Sequence, residues 1–210
     1  MGLDIIPNVA FTDLSLSKKP DSSDKIDKQI ASILSSLNQS NPDFAYLSLT
    51  SKEVSSIVQG VKKMGLKTRW VCNSRVFDEN LTPCDGVLGV QPISFFAEEV
   101  PGMAEIKEAH QKWHPYDSHT LFYVEGWATV QVMVEALGRS LPEQRLSRER
   151  VKSSLESFRN YVSGGLIPPL TITSDDHRPS VESRILVIKD GKISIQSSFI
   201  SVPRQKKTLR

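Results

Sequence analysis

Between residues 44 and 90 the chain alternates β-rich apolar runs with helical runs, and this alternation limits it to very few folds. Phe44-Ala45-Tyr46-Leu47-Ser48-Leu49 reads as a short strand. Val54, Ile57, Val58 and Val61 then recur at helical spacing, with Gly65 placed to end the helix. Thr68 to Val71 and Val87 to Val90 read as further strands. Upstream, Ile26, Ile30, Ile33, Leu34 and Leu37 mark another helix, stopped by Asn41-Pro42-Asp43. Leu3 to Phe11 is apolar and β-rich, with Pro7 favouring an edge position, and Thr12 to Asp24 is a polar loop. The first 90 residues therefore read β-α-β-α-β with one more strand. That order requires a parallel sheet covered by helices.

From Pro101 the alternation stops. Met103–Trp113, Thr120–Leu141 and Leu146–Phe158 read as three successive helices, the second with a broad apolar stripe. Arg184–Lys189, Asp190-Gly191 and Lys192–Ile200 then read as a hairpin with a tight turn. No internal repeat or low-complexity segment interrupts this order.

Composition excludes several classes. The chain has 210 residues, of which 39% are hydrophobic and 24% charged, as in an ordinary soluble domain. No apolar run approaches the ~18 residues that span a bilayer. Met1-Gly2-Leu3-Asp4 lacks the pattern of a signal peptide. The net charge is +2, but Arg204, Lys206, Lys207 and Arg210 crowd the last seven residues, and the remainder carries 22 positive against 24 negative groups. A short basic tail of this kind is no nucleic-acid patch. Cys72 and Cys84 show no metal spacing. Two separate buried thiols fit them better than a disulfide, which an oxidising compartment would allow.

Few residues carry a chemical signal. Thr50 and Ser51 stand where a strand ends and a helix begins, so hydroxyls and a helix N-terminus converge there, as a cap, an anion or zwitterion site, or both. Asn73, Ser74 and Phe77 follow the strand at Thr68–Val71, and ligands of open α/β sheets bind at such carboxyl ends. His110 and His114 stand at i, i+4, but His-Gln-Lys-Trp-His lacks the glutamate of a zinc protease, and a solvated helix face is the plainer reading. Asp175-Asp176-His177-Arg178 reads as a structural turn. Trp70, Trp113 and Trp127 read as packing residues. Neither a G-x-S-x-G elbow nor a phosphate loop occurs. Nothing here calls for a cofactor, a metal or a catalytic residue.

The order of these segments resembles one family. NPDFAYLSLTSKEVSSIVQGVKKMGLKTRWVCNSRVFDENL, then GVLGVQP, the helix centred on Trp127, GGLIPPLTITSDDHRPS and RILVIKDGKI together resemble type I periplasmic solute-binding proteins of the leucine/isoleucine/valine-binding kind, which serve ABC transporters. The similarity covers about residues 3 to 200 and begins mid-family, so it implies roughly the C-terminal half. It implies an α/β fold: a three-layer parallel-sheet lobe (residues 1–90 and 168–202), helices of a truncated second lobe (91–167) and a basic tail (203–210). GVLGVQP resembles a strand returning through the hinge, which adds Gln91 and Pro92 as weaker cleft candidates. Ser74 falls near a position that is acidic in branched-chain amino-acid binders, and serine supplies no such charge. The implied function is capture of a small polar solute (an amino acid, an amide or a small aromatic acid) at a site including Thr50, Ser51, Asn73, Ser74, Phe77 and Gln91. The implied partner is a membrane permease, in an intact parent that works in the periplasm. Helices deprived of their usual sheet imply a homo-oligomer. The alternatives are a ligand-sensing regulatory domain of the same fold, a hydrolase using His110 and His114, and an incomplete fragment that binds nothing.

Overall fold

A computed structural model describes residues 23–141 and 146–204. The expected strand at Leu3–Phe11 and the tail residues Lys206, Lys207 and Arg210 lie outside the described residues. The chain divides into two compact units, Met1–Val90 with Leu186–Ser194, and Gln91–Ile185 with Ile195–Arg210.

The first unit is the α/β layer that the alternation predicts. Its elements are α1 (Ser23–Ser40), β1 (Phe44–Leu47), α2 (Ser51–Lys63), β2 (Arg69–Cys72) and, to Val90, β3 (Leu88–Gln91), joined by the Leu186–Ser194 part of β4 (Glu182–Lys189) and β5 (Lys192–Ile195). Strand order is β1-β2-β3-β4-β5. β1 runs parallel to β2, with Leu47 opposite Cys72, and β2 runs parallel to β3, with Cys72 opposite Gly89. Each α-helix in such a crossover must lie on the sheet, and α2 does so through Val54, Ile57, Val58 and Val61, all buried. Each of those side chains contributes about 1.5–3 kcal/mol on burial. α1 packs beside α2 at Gly60, where a Cβ would stand 2.8 Å from Leu34 Cδ1.

Gly89 has a sharper reason. A Cβ there would overlap the ring of Phe77, which is fully buried. Phe77 therefore covers the middle of β3. Phe77, expected to pack on a ligand, has none of its surface exposed.

The hairpin between β4 and β5 turns at Asp190 and Gly191, both with positive φ (52° and 69°), as a tight two-residue turn requires. The expected second strand to Ile200 is broken after Ile195. Ser197 Oγ accepts from the Ile185 N–H at 3.0 Å, so a side chain takes the place of a ladder carbonyl. The chain then returns as β6 (Ile200–Ser201), antiparallel to the start of β4.

The second unit holds α3 (Met103–Trp113), α4 (Leu121–Ser140) and α5 (Arg148–Glu156). The predicted helix to Phe158 is shorter because Ser147 caps its start and Phe158 lies beyond its end. Phe96, Met103, Ile106, Val124, Ala128 and Leu166 form one core. Ala136, Phe158 and Leu170 form another. The sequence groups 168–202 with the first 90 residues, whereas the contacts place only Leu186–Ser194 there, since Leu170 packs on Phe158.

Two ionic groups tie this unit together. Arg184 grips Glu98 with both ends of its guanidinium, Nη1 donating to Oε1 at 2.7 Å and Nη2 to Oε2, with only 5% and 12% of the two side chains exposed. Asp176 accepts from Arg178 Nε at 2.9 Å and from Arg204 Nη1 at 2.7 Å. Arg178 first and Arg204 next hold the Asp176 carboxyl well below the usual carboxylate range. Arg204 also donates to the carbonyls of Arg178, Thr171 and Pro179, so the first basic residue of the expected tail is an anchor.

Gly89→Ala is expected to destabilise the protein by about 3 kcal/mol, the upper range for overpacking a core. Denaturant unfolding checks this, and a Phe77→Leu second change, which removes the ring from the clash, is expected to restore part of the loss.

Candidate functional site

Parallel pairing brings the ends of β1 and β2 side by side, so the residues that follow them meet. Ser48 follows Leu47, and Asn73 follows Cys72, one step past the last paired residues. Asn73 Nδ2 donates to Ser48 Oγ at 2.9 Å. The other end of the same amide accepts from the Arg75 and Val76 N–H groups at 3.0 and 3.1 Å, which closes the loop into a turn. Asn73 is thus held at both ends of its side chain.

Thr50 caps α2. The Glu53 N–H donates to Thr50 Oγ1 at 3.4 Å, and Glu53 Oε2 accepts from the Thr50 N–H at 2.9 Å and its hydroxyl at 2.7 Å. This reciprocal box satisfies two backbone N–H groups of the cap and occupies the threonine. Ser51 Oγ accepts from Asn80 Nδ2 at 3.2 Å, and Asn80 is positioned by the buried Asp78, whose Oδ1 accepts the Asn80 N–H at 2.8 Å.

Of the six sequence candidates, Thr50, Ser51 and Asn73 fall at this polar end of the first unit, with Ser74 half-buried in the same loop. Phe77 is core, as described. Gln91 is the last residue of β3 and is 2% exposed. Ser48 and Asn80 are additions. Ser48 had a readable signal, since it directly follows β1. Asn80 had none, because 29 residues separate it from Ser51. The patch offers hydroxyls, carboxamides and a helix N-terminus, which suit hydrogen bonding to a small polar molecule.

The histidines form a different arrangement. His110 is buried at 2% exposure, not on a solvated face. Its ring meets Phe96 edge-on at 5.2 Å, Tyr123 at 5.0 Å and His119 at 4.6 Å. His119 stacks flat on Phe96 at 4.0 Å. His114 stays near the surface, its Nδ1 2.9 Å from Asp117 Oδ2. Among the described residues no group of three His, Cys, Asp or Glu is arranged to hold a metal ion. Trp113, expected to pack, is 68% exposed, with Lys112 Nζ over its ring at 4.8 Å.

Comparison with known proteins places these features in context. The family model for the periplasmic binding protein matches residues 25–192. No curated protein matches in sequence. A branched-chain amino acid ABC transporter structure from Thermus thermophilus with bound valine is similar at a TM-score of 0.73 and 19% identity, covering 82% of this chain and 49% of that one. An ABC transporter substrate-binding protein from Aeropyrum pernix gives 0.72 and 20%, covering 86% and 50%. A fatty acid ABC transporter substrate-binding protein from Thermomonospora curvata gives 0.72 and 19%, covering 82% and 47%. The chain therefore spans about half the length of these solved structures, and identities this low show likeness of fold alone.

Cys72 and Cys84 are both buried free thiols. Burial pushes the Cys72 thiol up to about 12, helped by the neighbouring Cys84 and Asp78. A thiol so raised is almost wholly protonated at pH 8 and a poor nucleophile. Thiol titration of the native protein at pH 8 is expected to show slow or no reaction at Cys72, and full reaction of both cysteines in denaturant. Rapid native reaction at Cys72 would contradict its burial.

Proposed function

This chain belongs to the periplasmic binding protein family, and from that premise we propose that it is the solute-binding component of an ABC transporter, capturing a small polar solute such as an amino acid, an amide or a small aromatic acid. The first unit serves as lobe II, and the second as part of lobe I. The observation that supports this reading best is the fixed polar patch of Ser48, Ser51 and Asn73 at the carboxyl ends of parallel strands, where open α/β folds hold ligands. The patch forms one wall of the solute cleft. Asn73 presents a pre-set amide, and Ser48 and Ser51 present hydroxyls beside the start of α2. A pre-set wall loses little side-chain freedom on binding, which favours affinity. Binding stabilises the form that a membrane permease recognises, so the solute acts by shifting a population. The role is capture, without a reaction. The valine bound in the Thermus thermophilus structure supports testing amino acids first. Work outside the cytoplasmic membrane follows from the same reading. Among the described residues no helix is long and apolar enough to cross a membrane.

A second copy of the chain is the proposed partner of α4. Phe122, Val130 and Val134 lie on one side of it, 46%, 61% and 60% exposed. Apolar surface of this kind on a helix favours association.

Two outcomes test these readings. A thermal-shift panel of amino acids, amides and small aromatic acids is expected to give at least one stabilising solute, because a ligand that binds only the native state raises its melting point. Asn73→Ala is expected to weaken that solute about tenfold, equivalent to ~1.4 kcal/mol. A flat panel from folded protein, or an unchanged response in Asn73→Ala, would remove the proposed wall. Light scattering is expected to show a dimer or larger species that Val130→Glu with Val134→Glu returns to a monomer, and a strictly monomeric parent chain would refute the association.

A further inference from the structure

The second unit contains a cavity that the strand-end patch does not use. It has a volume of about 610 Å³, within the range of small-molecule sites. α4 supplies one wall through Ala128, Val132 and Met133. The segments carrying Ile167, Leu170 and Val181 supply most of the rest. These surfaces are aliphatic and would hold an unbranched or ring-bearing hydrocarbon body.

The polar groups of the lining have one sign. Among the described residues, Glu125 on α4 and Glu182 at the start of β4 are the titratable ones that line the cavity, and both are half-buried. Neither carboxylate has a hydrogen bond or an ion pair among the described residues. The same unit pairs its other half-buried acids: Glu98 with Arg184, Glu135 with Arg139, Glu156 with Lys152 and His177, and Asp176 with Arg178 and Arg204. Among the described residues no lysine, arginine or histidine lines the cavity. An acid without a counter-ion beside apolar walls costs free energy, and a cation brought by a ligand recovers it. Hydroxyls of Thr129, Ser180 and Ser183 also line the cavity, offering acceptors for the remaining protons of an ammonium group.

We propose that this cavity binds a small amphipathic amine, a primary ammonium group on an apolar body, with the ammonium between Glu125 and Glu182 and the body against Val132 and Met133. Carboxylate-bearing apolar molecules are excluded by the same two charges. The site shares no residue with the strand-end patch, so its test is independent of solute capture there.

The test compares octylammonium, octanol and octanoate, which share one chain and differ in head-group charge, on the full chain at neutral pH by calorimetry. Octylammonium is expected to bind at least tenfold more tightly than octanol, with octanoate weakest, and its affinity is expected to fall as salt rises. Met133 is one of four methionines, and its labelled methyl resonance is expected to shift on titration while that of Met64, in the first unit, does not. In the isosteric double variant Glu125→Gln with Glu182→Gln, octylammonium is expected to bind no better than octanol. Absence of octylammonium binding, equal affinities for the three probes, a still Met133 methyl, or a double variant that keeps the amine preference would each overturn the proposal. The probe ranking on the unaltered chain decides the matter even if the double variant fails to fold.

Discussion

Parallel pairing of β1, β2 and β3 is the constraint on which the first unit depends. Parallel strands cannot be joined by a tight turn, so each connection must cross the sheet and return. That single requirement puts every strand-end loop at one edge. It seats Ser48 and Asn73 next to each other and starts α2 beside them. The same requirement forces the helices to lie on the sheet face, which is why α2 carries four buried β-branched residues. Phe77 then fills the space that Gly89 leaves free. Polar groups gather at the strand ends because the centre of the layer is fully occupied by apolar side chains.

The second unit follows other physics. Its cohesion comes from two small apolar cores and from charges taken out of water in pairs. The Arg184–Glu98 pair is nearly dry, so losing either partner would strand a buried charge, at a cost of about 3–5 kcal/mol. Asp176 works at the surface, where it gathers Arg178 and Arg204. α4 is rich in apolar residues and packs Val124 and Ala128 into one core and Ala136 into the other, while Phe122, Val130 and Val134 stay exposed. A helix with that pattern normally lies inside a larger body. Its exposed side and the neighbouring cavity are therefore the surfaces of this unit with most to gain from a partner or a ligand.

Much of this was legible in the residues. Helical spacing located α2 through Val54, Ile57, Val58 and Val61, and it located α3 residue for residue. The Asp-Gly pair located the β4–β5 turn, since only residues that accept positive φ fit it. Thr50 and Ser51 were recognisable as cap candidates from their place between a strand and a helix. What remained hidden depended on partners distant in sequence. Phe77 looked available for a ligand until Gly89 received it. His110 looked solvated until Phe96 and Tyr123 closed over it. The strand from Lys192 looked continuous until Ser197 took the Ile185 N–H.

The sequence by itself determined the class of fold and the place of the polar strand ends, because periodicity and turn chemistry act over a few residues. The tertiary structure alone decided which side chains those ends bring together, which acids are paired and which line a cavity uncompensated. Those outcomes rest on contacts between residues tens of positions apart, such as Ser51 with Asn80 or Glu98 with Arg184, and no local pattern encodes such a meeting.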